Sequence, residues 1–331
     1  MLDQYFIADL VDLIYQALTG EAGISSNSNA YLDCLLLSSN GNLVKIDYNQ
    51  DEMYTTKTVA CNVVAADIGD SMVFATNEVV TYKSSSEAVP KKEYVDNVSK
   101  CLVGYHSAIL ILIDGTIKVI GSNSSGQLGT RSTLMIDEWK TVPQITDIIT
   151  GSCRGTTSIL VRSDGQIYMA GDDTHEMVGV NVNGFKLHPT VKDIIAVYST
   201  SNAIFLLTIS GNVLYSGNLH LDARPNDTFK QLPITGVIDM ALGRTLALFL
   251  TSNGKLFGYG HDPHGKFGSL RRYNTLNVIE VPTGDLRVRK ITCSINLSII
   301  MDTKGDVYII ADTFHKEFRT FTKVKGVNLL R

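Results

Sequence analysis

Short apolar runs recur along the chain, each stopped by a turn and followed by a second run that starts on glycine. Ala108 to Ile113, Ile159 to Val161, Ile204 to Leu207, Leu246 to Leu250, Leu297 to Met301 and Leu35 to Leu37 are almost wholly apolar. A strand that shows no alternation of polar and apolar positions is covered on both faces. After each comes a turn-forming residue and a glycine: Asp114-Gly115, Asp164-Gly165, Ser210-Gly211, Asn253-Gly254, Lys304-Gly305 and Asn40-Gly41. Such pairs supply the positive φ angles of a two-residue hairpin. Upstream lie further short runs, as in Ile145 to Ile149, Val191 to Ile195, Val237 to Met240 and Val288 to Ile291. The pattern predicts strands in series, with no helical periodicity between them.

The glycines also set a period. Gly115 and Gly121, Gly165 and Gly171, Gly211 and Gly217, and Gly254 and Gly260 stand six apart around a strand-like run. The copies at Gly305 and Gly41 lose the second glycine, to Ala311 and Asp47, and a weaker copy lies around Asn77 to Val80. Gly41 to Gly305 covers 264 residues in six intervals, a mean period of 44. Three or four strands in such a period describe one blade of a β-propeller. The expected fold is all-β: a seven-bladed β-propeller over residues 25–331, preceded by a short N-terminal amphipathic helix and linker over residues 1–24.

Gly104 to Gly115, followed by Gly121-Ser-Asn-Ser-Ser-Gly126-Gln127-Leu128-Gly129, resembles the repeat of the regulator of chromosome condensation family. Gly171 to Gly179 and Gly260 to Gly268 carry the same glycine-bounded tail more loosely. The resemblance covers roughly residues 29–331. It implies a rigid disc whose loops bind other macromolecules, and in the founding member nucleotide exchange on a small nuclear GTPase. That member reaches chromatin partly through a basic tail, whereas residues 1–44 here hold five acidic residues and no basic one. A ring must also close, and the apolar 327–330 segment is expected to complete the first blade beside residues 31–37.

In the leading segment Phe6, Leu10, Leu13, Ile14 and Leu18 recur at helical spacing, with Asp3 placed to cap the start and Gly20 the end. Its charged residues, Asp3, Asp9 and Asp12, are acidic, unlike those of a helix that lies on anionic lipid. We expect it to anchor the protein, by packing on its own disc or by docking to a partner or a second copy. The net charge of −4 and the pI near 6.0 give no electrostatic case for nucleic acid, and no apolar run is long enough to span a bilayer. Five widely spaced cysteines form no C-x-x-C pair and suit a cytoplasmic or other reducing compartment. The start of the chain lacks the basic residues of a signal peptide.

Catalytic chemistry finds no recognisable setting. Gly260-His-Asp-Pro-His-Gly265-Lys266 imitates a phosphate loop, but Phe267 replaces the Ser or Thr that would hold magnesium, and no helix pattern follows. His261, Asp262 and His264 lack a further ligand at metal-site spacing. No cofactor or metal is expected, and the chain is read as a non-enzyme. The interval from Gly254 to Gly305, 51 residues, carries an insertion. Arg271, Arg272, Tyr273, Asp285 and Arg287 within it are the candidate partner contacts. The first functional reading is a non-catalytic protein-interaction or assembly module. Guanine-nucleotide exchange on a small GTPase is the alternative. Ser/Asn/Thr-rich loops and the appended helix add a third, a component of a bacteriophage virion or a bacterial effector.

Overall fold

The computed structural model describes residues 24–25, 34–37, 43–47, 55–60, 62–68, 71–84, 90–171, 182–200, 203–217, 219, 226–243, 245–262, 267, 273–293, 297–313, 316–317 and 320–328. Every regular element among them is a strand. The strands fall into seven antiparallel sheets, each cut from one continuous stretch of chain. Sheet I contains β1 (Ile24–Ser25), β2 (Cys34–Leu37), β3 (Leu43–Asp47) and β4 (Thr55–Ala60). Sheet II has β5 (Val63–Ile68), β6 (Ser71–Thr76), β7 (Val79–Ser84) and β8 (Lys91–Tyr94). Sheet III follows with β9 (Val98–Gly104), β10 (Ser107–Leu112), β11 (Ile117–Gly121) and β12 (Ile136–Thr141).

Sheet IV consists of β13 (Ile148–Arg154), β14 (Thr157–Arg162), β15 (Ile167–Gly171) and β16 (Val182–Leu187). In sheet V the order is β17 (Ile194–Ser199), β18 (Ala203–Thr208), β19 (Val213–Gly217) and β20 (Asn226–Gln231). Next come β21 (Val237–Leu242), β22 (Leu246–Thr251), β23 (Leu256–Asp262) and β24 (Tyr273–Glu280) of sheet VI. Sheet VII is built from β25 (Val288–Cys293), β26 (Leu297–Asp302) and β27 (Asp306–Thr313), with β28 (Lys316–Glu317) and β29 (Thr322–Asn328) both on β27's outer edge.

Successive sheets pack through their first strands, β5 on β9, β9 on β13, β13 on β17, β17 on β21 and β21 on β25. The hydrophobic core is correspondingly divided into pockets between sheets, and the middle strands serve two of them at once. On β18, Ala203, Phe205 and Leu207 face the cluster shared with sheet VI, while Ile204 and Leu206 face the one shared with sheet IV. On β22, Ala247 and Phe249 turn one way and Leu246, Leu248 and Leu250 the other. This is why those runs show no polar alternation: each side chain of the strand meets an apolar neighbour. Phe205 and Phe249 are fully buried and meet at 6.0 Å between ring centres, tilted by 53°, across the V–VI boundary.

The glycine pairs do more than permit hairpins. At Gly171 (φ +113°), which ends β15, a Cβ would collide with the Thr156 carbonyl oxygen in the turn between β13 and β14. The corresponding Gly121 and Gly260 lie against the carbonyls of His106 and Thr245. Ser122 N–H donates to His106 O at 2.8 Å, and His261 N–H to Thr245 O at 2.7 Å. The third strand therefore bends sharply against the turn beside it, and the ladder to the fourth strand shifts register there.

One expectation is corrected. The C-terminal strand β29 does not join the first sheet: it pairs with β27, through Asp306 with Asn328 and Tyr308 with Lys323. Sheet I takes its first strand from its own segment, with Ile24 opposite Leu36, so the sheets begin at or before Ile24. The outer edge of β27 needs a fourth-strand partner, as β3, β11 and β23 do, and the nearby chain reaches it with a short closure instead of a return across the whole sequence. Phe6, Leu10, Leu13, Ile14 and Leu18 lie outside the described residues.

The two kinds of glycine separate in a substitution test. Gly171→Ala should lower unfolding free energy by about 2–4 kcal/mol in denaturant titration, because strain and collision add. Gly155→Ala, at φ +52° with open space around it, should cost about 1 kcal/mol. Equal losses would show that the carbonyl contact is not the cause.

Candidate functional site

The stack has two unlike ends. At one, the turn end, lie the tight turns between second and third strands and the starts of the first strands. At the other, the loop end, lie the first-to-second turns and the longer third-to-fourth connection over 122–135.

The candidate contact residues are divided between these ends. Tyr273 opens β24 at the loop end, with Asp262 opposite it across the hairpin. Arg271 and Arg272 lie outside the described residues. Asp285 and Arg287 follow the other end of β24, about 25 Å of strand away, and both are exposed at the turn end. Arg287 also holds the entry to β25: its carbonyl accepts the Thr303 N–H at 2.8 Å, and its Cβ lies 3.3 Å from the position a Gly254 Cβ would take. The insertion therefore does not present one surface. Eight residues of extended strand between the two groups place them apart.

The glycine-rich stretch after β23 closes on itself. Asp262, fully buried, accepts the Phe267 N–H on Oδ2 at 2.7 Å, and Phe267 is fully buried beneath it. Asn123 makes the same bond, its Oδ1 accepting Leu128 N–H at 2.7 Å. Both are residue i to residue i+5 closures of the same repeat loop, so the Asp262 side chain has a folding role that the phosphate-loop imitation concealed. Among the described residues no group of three metal-ligating side chains comes together.

What the sequence did not mark is a polar line across the first strands. Tyr198 of β17 donates its hydroxyl to Asp239 Oδ1 of β21 at 3.1 Å, and the Met240 N–H donates to the same oxygen at 2.8 Å. Burial pushes the Asp239 carboxyl above the usual aspartate value, opposed by those two hydrogen bonds and by the Lys290 charge. The Tyr198 phenol is also pushed up, by burial first and then by the neighbouring carboxylate. Further along, Lys100 of β9 donates to Thr150 Oγ1 of β13 at 3.1 Å, and Ser152 and Ser199 hydroxyls meet at 2.6 Å between β13 and β17. These bonds tie sheets III to VI side by side. The sequence signal was faint, one or two polar residues at varying places within each first strand.

Apolar side chains are exposed at both ends. Tyr105, Leu134 and Met135 stand out at the loop end, where the Tyr105 ring lies 4.2 Å from that of His106. Val64, Ile113, Ile149, Ile195, Ile209 and Ile238 are exposed at the turn end.

No family model matches the chain. Among solved structures it is similar to human WBSCR16, at TM-score 0.61 and 17% identity, over 72% of this chain and 69% of that one. It is also similar to Prp20p from Saccharomyces cerevisiae, described with its binding properties to Gsp1p and histones, at TM-score 0.65 and 13% identity over 79% and 76% of the two chains. The same yeast protein, described as RCC1 bound to Kap60, matches at TM-score 0.63 and 12% identity over 92% and 75%. At these identities the likeness establishes fold alone, an RCC1-like β-propeller.

Asp239 gives a pH signature. An acid whose folded-state value is raised stabilises the fold below its ordinary value of 3.8, and that stability is lost as pH rises through the folded-state value. Asp239→Asn, which keeps an acceptor for Tyr198, should therefore raise the denaturation midpoint at pH 7, and the gain should vanish near pH 3. A gain independent of pH, or a loss at pH 7, would contradict the assignment.

Proposed function

We propose that the seven sheets close into a seven-bladed ring, and that this disc is a non-catalytic module which binds a protein partner on its loop end. Closure would come from packing of sheet VII against sheet I, since β29 completes its own sheet. The observation that carries the reading is the division of labour within each repeat. The starts of the first strands hydrogen-bond to the turn glycines of the preceding sheet, while at the loop end the 122–135 connection and the turn after β9 leave Leu134, Met135 and Tyr105 exposed. Aromatic and Met side chains that stand out on a rigid scaffold are favoured anchors for a protein partner.

The solved neighbours agree in kind, since the yeast propeller is described with Gsp1p, histones and Kap60. The second reading, exchange on a small GTPase, is what the resemblance in the sequence implies, and these neighbours fit it equally. The virion or effector reading gains nothing from these neighbours and is dropped. A reducing compartment fits the buried cysteines Cys101, Cys153 and Cys293.

Affinity for a captured partner should fall about tenfold or more in the double variant Leu134→Asp and Met135→Asp, with the thermal midpoint unchanged because both positions are exposed. Nucleotide release across a panel of small GTPases should not accelerate when the wild-type chain is added. Acceleration would replace the interaction reading with the exchange reading, and full retention of the partner by the double variant would move the contact off the loop end.

A further inference from the structure

Four of the exposed aliphatic side chains occupy one repeated position. Val64 (44% exposed), Ile149 (44%), Ile195 (45%) and Ile238 (55%) are each the second residue of a first strand, in sheets II, IV, V and VI. Each is the extra residue where the ladder to the second strand shifts register: between Val63 and Ala65, Ile148 and Thr150, Ile194 and Ala196, and Val237 and Asp239. Neither ladder nor core holds such a residue, so a polar side chain would serve equally well there. Sheets III and VII do carry polar ones, Ser99 and Arg289. One exposed isoleucine is ordinary; the same choice at one register position on three strands that pack in succession, β13, β17 and β21, describes an apolar arc, with Val64 beyond Ser99 of sheet III. Ile113 and Ile209, at the turns of sheets III and V, extend it at the same end.

The path of the chain supplies an occupant. Ile24, which opens β1, sits opposite Leu36 beside the β2–β3 turn, and β1 packs on β5, the strand that carries Val64. Residues 19–23 thus tether the apolar stripe of Phe6, Leu10, Leu13, Ile14 and Leu18 to the turn end. Five extended residues reach about 17 Å, and a helix over residues 6–18 is about 20 Å long.

We infer that residues 6–18 form an amphipathic helix that docks on this arc of the chain's own turn end, covering Val64, Ile149, Ile195 and Ile238 and leaving the loop end to the partner. The inference rests on the ring order proposed above, and it replaces an anchor to another molecule with an internal one.

A photo-crosslinking phenylalanine analogue at position 13 of the full chain tests it, with isotopically light and heavy protein mixed before irradiation. Crosslinks should form within one chain, to peptides that contain Val64, Ile149, Ile195 or Ile238. The exposed-site variant Ile195→Asp with Ile238→Asp should cut their yield about tenfold, the effect of about 1.4 kcal/mol on docking, and lower the thermal midpoint only slightly, because the dock adds to the stability of the folded chain. Light–heavy crosslinks would assign the arc to a second copy. Crosslinks to loop-end peptides around Tyr105 or Leu134, or no crosslinks at all, would also overturn the inference. Small-angle scattering reads the ring separately: a closed disc without these crosslinks removes the helix dock alone, whereas an elongated open particle removes the ring.

Discussion

One hydrogen bond, repeated, sets how each sheet sits on the next. The amide that opens a first strand donates to the carbonyl of the preceding sheet's turn glycine: Ile148 to Gly115 at 3.0 Å, then Ile194 to Gly165, Val237 to Gly211 and Val288 to Gly254, each at 2.9 Å. The approach is too close for any side chain. A Cβ on Gly165 would lie 2.8 Å from the Cα of Asp193 in the next sheet. Asp193 itself holds a left-handed φ of 61°, and its carbonyl accepts the Ile209 N–H at the end of its own second strand. Two backbone bonds thus run through one point, one within a sheet and one between sheets. Both groups are paired, and the bond between sheets, from buried Ile194 to buried Gly165, is shielded from water.

The rest of the fold follows from that spacing. Sheets held edge to edge at their first strands enclose a wedge between their faces, and the wedge is filled from both sides by the middle strands. Phe205 and Phe249 fill one such wedge with Tyr215 and Tyr259 close by. Truncating either phenylalanine to alanine would remove about 3–5 kcal/mol, a large share of the stability of a domain. Polar bonds such as Tyr198 to Asp239 add little net energy but fix which strand lies against which.

Much of this was legible in the sequence, for a physical reason: the glycines are demanded by backbone geometry, and geometry repeats even where side chains diverge. Asp-Gly and Asn-Gly announced hairpins, and the unbroken apolar runs announced strands covered twice. The second duty of the turn glycine, contact with the next sheet, left no separate mark, because both duties ask for the same residue. The C-terminal strand was misplaced because its composition suits any outer edge, and only pairing with Asp306 to Ile309 chooses among them. The candidate contact residues were grouped by nearness in sequence, yet an extended strand separates its ends by its full length. The doubled isoleucines at 148–149 and 194–195 were visible as strand residues, but only the register shift shows that the second of each pair faces outward.

The account makes sheet-to-sheet anchoring at the turn glycines its central claim, and amide hydrogen exchange reads it directly. The amides of Ile148, Ile194, Val237 and Val288 stand at strand starts, where fraying would expose them within the early time points. They are predicted to be as protected as the buried middle strands, and to open together with them in denaturant. Rapid exchange at these four amides, with the middle strands still protected, would contradict the claim.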